Sequence, residues 1–429
     1  MRTDLLHPAD QLVMIMDRIY KYGMTTTSGG NLSVRDENGD IWITPSGIDK
    51  GSLTRKDIIR VRPDGTMEGI HKPSMELPFH RQVYLKRPDI KAIVHAHPPA
   101  LVAFSIARKI PDTLIMPDVH LICGEVAMAE YDIPGSVELG NKIAAVFEKG
   151  YNNVLLENHG IVVAAESLFK AFMVFETLDY CARIEINAGR IGKVKTFSRE
   201  NTGNAGYGQN IKMNEFTPDV ISSKEKEIRR EMCELIRRAY DQRLITSSQG
   251  TFSARINDRS FVITPANTDR KYIEPEDLVR IENGRKESGK NPDRTVLFHQ
   301  YIYNVHPHVN SVIVAQPPNA MAFAVSDQAM DSRLIPESYI MLRDVLRLPF
   351  GCIYTEPEKT AARFLSGSPV AIVENDCLVV TGHSLLNAFD RLEVAEYSAQ
   401  SIISARVLGG IVTIDDKQIN DLKDAFSLY

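Results

Sequence analysis

The chain is poor in cysteine, carries a single tryptophan and contains no long apolar run. Its five cysteines, Cys123, Cys181, Cys233, Cys352 and Cys377, are odd in number and lack metal-type spacing, so they read as reduced thiols and not as a disulfide framework or a cysteine metal site. No stretch approaches the ~20 apolar residues that a bilayer crossing needs. No secretory leader is expected either, because Asp4, His7, Asp10 and Asp17 interrupt the apolar residues between Met1 and Lys21. Nor is there a basic excess: 50 Lys and Arg stand against 55 Asp and Glu, and a net charge of -5 gives no global attraction for nucleic acid or anionic lipid. These absences predict a cytoplasmic protein with neither nucleic acid nor membrane as partner.

What the chain does have is length and internal repetition. At 429 residues it exceeds the usual size of a single core, and 43% hydrophobic with 24% charged residues is the balance of a globular protein. Ala92-Ile93-Val94-His95-Ala96-His97-Pro98-Pro99 returns as Ser311-Val312-Ile313-Val314-Ala315-Gln316-Pro317-Pro318. Further pairs follow at nearly the same offset. Ser28–Arg35 matches Ser248–Arg255, Ile43-Thr44-Pro45 matches Ile263-Thr264-Pro265, Pro73–His80 matches Pro292–His299, and Glu157–Gly160 matches Glu374–Cys377. The repeat predicts two domains of one fold, 1–197 and 224–429, joined by a linker at 198–223 that is rich in Asn, Gly and Ser. Gly203–Gly208 in that linker has the glycines of a nucleotide loop but no preceding strand, and is discounted.

Apolar spacing predicts helices at Asp10–Tyr22 and Lys224–Tyr240. Strands are expected at Asn31–Arg35 and Ile41–Thr44, joined by a turn sequence into a hairpin, then at Ile90–His97 and Asn153–Leu156. Helices are expected after Pro73, with Ser74 as candidate N-cap, and at Ala100–Ala107. Helices interleave with strands, and the hairpin makes each sheet at least partly antiparallel.

His95 and His97 lie two apart on a predicted strand, so both rings project to one side. His159 directly follows another apolar strand. Three imidazoles with one position left open form the pattern of catalytic zinc. The second half replaces the three together, by Val314, Gln316 and Asp376, while the surrounding residues hold. Histidines kept for packing would not disappear as a set. Glu76 is lost with them, to Thr295, which places it in the same site as a base beside the metal. His80 keeps a counterpart in His299 and reads as structural. Asn31, Ser46, Gly47 and Ser74 offer the amide, hydroxyl and backbone donors that hold a phosphate without fixed charge.

These blocks resemble the class II aldolase/adducin family, through Gly30-Asn31-Leu32-Ser33, Ile43–Gly47, Pro73–Glu76, His95–Pro98 and Asn158-His159-Gly160. The second half resembles the same domain without its site. The resemblance implies an α/β fold of two tandem three-layer α/β/α domains, each around a mainly antiparallel sheet. It implies one zinc ion, or another divalent metal, in the first domain on His95, His97 and His159, with Glu76 as ligand at rest and acid/base in turnover. It implies a phosphate pocket at Asn31, Ser46, Gly47 and Ser74. Met75 stands where L-fuculose-phosphate aldolases have a second serine. Leu121 follows His120 where those enzymes carry a tyrosine that reaches a neighbouring subunit. Tyr339 of the second half is the candidate replacement, with Tyr131 and Tyr207 behind it.

The implied activity is zinc-dependent, reversible cleavage of a ketose 1-phosphate to dihydroxyacetone phosphate and an aldehyde through a metal-stabilised enediolate. A sugar-phosphate epimerase, decarboxylase or dehydratase would use similar ligands. A non-catalytic adducin-like interaction protein is the rival of another class. Family members are cyclic tetramers, so a homodimer of tandem chains would form a pseudo-tetramer.

Overall fold

The computed structural model describes residues 5–197, 211–365 and 367–428. The first half runs α1 (Pro8–Lys21), β1 (Asn31–Arg35), β2 (Ile41–Ile43), β3 (Ile59–Val61), β4 (Met67–Glu68), α2 (Leu77–Lys86), β5 (Ala92–Ala96) and α3 (Pro99–Ala107). It continues with α4 (Pro117–Cys123), β6 (Val126–Ala129), α5 (Val137–Glu148), β7 (Asn153–Leu156), β8 (Ile161–Ala165) and α6 (Leu168–Ile191). Its eight strands form one sheet in the order β4-β3-β2-β1-β5-β8-β7-β6. Every pairing is antiparallel except β6 with β7.

Helices flank this sheet. Leu77, Phe79 and Val83 of α2 and Leu139, Ile143 and Phe147 of α5 pack onto Ile43, Ile93, Val154 and Val162. Each such fully buried side chain contributes roughly 1.5–3 kcal/mol. Elsewhere α1 turns Leu12, Ile15, Met16 and Ile19 inward, and its Arg18 lies 4.5 Å from the Phe172 ring of α6. The central strand β5 is buried along its whole length, in keeping with its apolar residues on either side of His95.

In the second half the elements are β9 (Glu215–Phe216), α7 (Ser223–Asp241), β10 (Thr251–Asn257), β11 (Ser260–Ile263), β12 (Val279–Glu282), β13 (Arg285–Glu287), α8 (Val296–Val305), β14 (Ser311–Ala315) and α9 (Pro318–Ala324). Then follow α10 (Pro336–Leu342), β15 (Leu346–Leu348), α11 (Cys352–Thr355), α12 (Pro357–Ala361), β16 (Val370–Val373), β17 (Cys377–Gly382), α13 (Leu385–Val407) and α14 (Asp416–Phe426). The nine strands form a sheet in the order β15-β16-β17-β14-β10-β11-β12-β13-β9, again mostly antiparallel. Asn31 faces His95 across β1 and β5, and Thr251 faces Val314 across β10 and β14, so the sequence repeat is a repeat of register.

The chain divides into two compact units, Arg2–Thr113 with Val119–Ala182, and Leu114–Asp118 with Arg183–Tyr429. The break between these compact units falls inside α6. Within the expected linker Glu215 and Phe216 pair in parallel with Lys286 and Glu287, and Ser223 already belongs to α7. Gly203–Gly208 and Tyr207 lie outside the described residues. The N-cap of α2 is Glu76 and not Ser74, whose Oγ instead accepts a hydrogen bond from the Glu76 N–H at 3.2 Å. All five cysteines are buried free thiols. Among the described residues no helix is long and apolar enough to cross a membrane.

Candidate metal centre

The backbone delivers each polar side chain to one point at the end of the first sheet. His95 is the fourth residue of β5, fully buried, and His97 follows the strand immediately, held extended by the proline after it. The turn between β7 and β8 carries Asn158 in the left-handed region, φ 53°, and so aims His159 back across the sheet end. Gly160 is required there, because a Cβ would stand 2.6 Å from the His97 ring and 2.7 Å from the Ala96 carbonyl. Ser105 of α3 braces this turn, accepting from the His159 N–H at 2.9 Å and donating to the Leu156 carbonyl at 2.6 Å.

Three imidazoles and one carboxylate meet as a result. His95 Nε2 lies 3.1 Å from His97 Nε2 and 3.2 Å from Glu76 Oε2. His159 Nε2 is 3.8 Å from Glu76 Oε1. Ligand atoms of the three histidines all lie within 4.8 Å of one another, the one such group found among the described residues. Burial raises the pKa of Glu76, but the charge of His95 and hydrogen bonds from His95 and Asn31 outweigh it, and the carboxyl falls well below the ordinary range. Burial, with the charge of His95, lowers His97 to about 3 and His159 to about 4, so both rings are neutral near pH 7. Burial works against a proton on His95 too, yet the Glu76 carboxylate beside it tips that ring upward.

This donor set fits a divalent cation. His95 Nδ1 donates to the Ile161 carbonyl at 2.9 Å, which turns its Nε2 lone pair toward the cluster. Without a proton on His95 Nε2, that lone pair and the Glu76 carboxylate are two acceptors 3.2 Å apart, with His97 Nε2 3.1 Å from the same nitrogen. Glu76 Oε1 is moreover buried with no hydrogen-bond partner. A proton or a metal ion has to neutralise such a group, and the two compete for it. Chemically, three nitrogens and a displaceable carboxylate make a site that can polarise a carbonyl.

The phosphate candidates lie beside it. Ser74 N–H donates to the Thr44 carbonyl at 3.1 Å and Ser46 N–H to Lys72 at 3.0 Å, which pins the Thr44–Gly47 loop against the start of α2. Gly47 adopts φ +69° with open space where a side chain would stand. The Asn31 amide is engaged within the protein: Nδ2 donates to Glu76 Oε2 at 2.6 Å, and Oδ1 lies 2.5 Å from His80 Nε2. The sequence reading overlooked Lys50. Only 2% exposed, it donates to the Pro45 and Ile48 carbonyls at 2.5 and 3.3 Å, and burial lowers its pKa to about 8 against the opposing charge of Asp49. The repeat itself could have found it, since the equivalent Arg270 is a buried cation bonded to Gly250 and Thr268 carbonyls. Ser105 was missed likewise, although its counterpart is Ala324.

Met75, Leu121 and Tyr131 are exposed. Tyr339 lies on α10 in the unit that does not contain the histidines, and is buried. At the equivalent place in the second half, Thr295, Gln316 and Asp376 are buried, and the Tyr354 hydroxyl donates to Asp376 Oδ1 at 3.4 Å. Arg294, at the position of Met75, pairs with Asp118 and lies 4.7 Å from the Tyr354 ring.

Residues 10–186 and 230–403 each match one family model, described as class II aldolase and adducin N-terminal domain. A 5-deoxy-D-ribulose 1-phosphate aldolase of Bacillus thuringiensis is 32% identical over 210 residues, 47% of this chain and 96% of that protein. An L-fuculose phosphate aldolase of Methanococcus maripaludis is 34% identical over 172 residues, 40% of this chain and 89% of that protein. A 3-oxo-tetronate 4-phosphate decarboxylase of Haemophilus influenzae is 32% identical over 188 residues, 42% of this chain and 88% of that protein.

Proposed function

This chain belongs to the class II aldolase and adducin family, and from that membership we propose that it is a metal-dependent lyase cleaving a ketose 1-phosphate to dihydroxyacetone phosphate and an aldehyde. The observation that carries the reading is the meeting of His95, His97, His159 and Glu76 at one point. We assign catalysis to the first domain and read the second as its degenerate copy. Zinc is the metal that the donor set favours. A bound divalent cation supplies Lewis-acid polarisation of the substrate carbonyl.

The chain's own groups do the rest. In cleavage the bond between the third and fourth carbons breaks and its electron pair stays on the third. The hydroxyl proton of the fourth carbon passes to solvent as the aldehyde forms, and Glu76, having first taken up a proton from solvent, delivers it to the third carbon, so that protons balance. Ser46, Gly47 and Ser74 hold the phosphate, with the buried Lys50 charge in the same loop adding positive potential, while the Asn31 amide stays on Glu76 and His80. Tyr339 of a neighbouring copy exchanges the aldehyde-side proton in a homodimer that closes as a pseudo-tetramer. A Tyr339→Phe variant turning over at the normal rate removes that assignment.

A second reading has a specific support, the decarboxylase relative. Loss of carbon dioxide beside a carbonyl leaves an electron pair on the same kind of carbon, so one site serves both reactions. The retained histidines and Glu76 weigh against a non-catalytic interaction role. The test is a panel of ketose 1-phosphates and 3-oxo acid phosphates, with and without chelator. Dihydroxyacetone phosphate released only without chelator is expected; carbon dioxide release favours the second reading, and activity surviving complete metal removal contradicts both.

A further inference from the structure

We propose that His80 is a positioning residue that fixes the Glu76 carboxylate through Asn31, holding Oε2 as a permanent acceptor and leaving Oε1 without a protein donor. The proposal rests on the reading of Glu76 as the acid/base. Two ladders of matching pitch build the connection. Asn31 and Ser33 stand two apart on one face of β1, and Glu76, His80 and Tyr84 stand four apart on one face of α2, spacings of roughly 7 and 6 Å.

The direction of every bond is forced from the acidic end. The ionised Glu76 carboxylate only accepts, so at 2.6 Å the Asn31 Nδ2 must donate to Oε2. That turns Asn31 Oδ1 toward His80 Nε2 at 2.5 Å, and because the amide oxygen only accepts, Nε2 carries the hydrogen. Burial keeps the His80 ring neutral, so its Nδ1 offers a lone pair to the Ser33 hydroxyl at 2.7 Å. Ser33 Oγ in turn accepts from the Tyr84 hydroxyl at 2.8 Å. Oε2 is therefore committed to the Asn31 N–H, whereas Oε1 has no hydrogen-bond partner.

The second half separates this role from a structural one. Tyr303 and Ser253 lie 2.6 Å apart, and Ser253 and His299 2.7 Å, as in the first half. Thr251 and Thr295 replace Asn31 and Glu76, and His299 Nε2 is buried with no hydrogen-bond partner. The fold therefore keeps the Tyr-Ser-His group whether or not Nε2 is engaged. The Nε2 contact exists where a carboxylate lies at its far end.

Two measurements on the full chain test this. Nitrogen-15 shifts of metal-free protein, with His80 assigned through His80→Gln, should show a neutral ring protonated at Nε2; a ring protonated at Nδ1 overturns the proposal whatever the enzyme's activity. Matched variants His80→Leu and His299→Leu should lower the melting temperature alike, yet only His80→Leu should reduce kcat, by about 10- to 100-fold, with metal content retained and KM changed less than kcat. Equal kcat for the two variants overturns it. Full turnover by Glu76→Gln would instead refute the acid/base reading while leaving the tautomer result standing.

Discussion

The two halves pose the same backbone question and answer it with different side chains. At the end of the first sheet His95, His97, His159 and Glu76 converge. In the second, Val314, Gln316, Asp376 and Thr295 occupy the equivalent places, with Tyr354 bonded to Asp376 and Arg294 paired with Asp118. The turn that aims His159 survives the change: Asn158 and Asn375 both adopt φ 53°. So does the buried cation beneath the loop, as Lys50 or Arg270. The difference teaches that this fold does not need the imidazoles to form the strand ends and turns that carry them. Bringing three imidazoles together out of water costs desolvation, a cost that the second half avoids.

Transplanting second-half residues into the first sharpens this contrast. His95→Val with His97→Gln should abolish metal binding and all lyase activity while leaving the circular dichroism spectrum unchanged. Glu76→Thr should lower kcat by about 10²- to 10⁴-fold, as loss of a general acid/base does. Lys50→Met tests the loop by pH. The folded-state pKa of Lys50, about 8, lies below the ordinary lysine value near 10.4, so the unfolded chain binds more protons between them and stability rises with pH across that window. The gain is roughly 3 kcal/mol, and the denaturation difference between wild type and Lys50→Met should show it. Arg270→Met should show no such slope, because arginine keeps its proton throughout. Smallest is Ser105→Ala, which installs the residue of Ala324 and should weaken metal binding several-fold by loosening the His159 turn. An unaltered metal dissociation constant in that variant would show the turn holds without the serine.

Much of the fold was legible in the chain because repetition and periodicity reinforce each other. Asn31–Arg35 and Asn153–Leu156 are strands at the bounds that alternation and β-branched content predict. The register Asn31 to His95 and Thr251 to Val314 follows from the aligned blocks. Less was legible where a residue acts through a partner distant in sequence. Ser74 has the chemistry of an N-cap, but its oxygen is drawn to the Glu76 amide and the helix starts later. Asn31 suits a phosphate, yet its amide is taken up by Glu76 and His80, a connection that no local pattern encodes. Lys50 gives no periodic signal at all. Its meaning comes from the carbonyls that surround it.

The central claim is one metal ion per chain, held by the first half alone. Elemental analysis of purified protein after exhaustive dialysis tests it most directly, with His97→Gln and Gln316→Ala measured in parallel. About one equivalent of divalent metal is expected for wild type and for Gln316→Ala, and none for His97→Gln. Metal retained in His97→Gln at the wild-type level would contradict it.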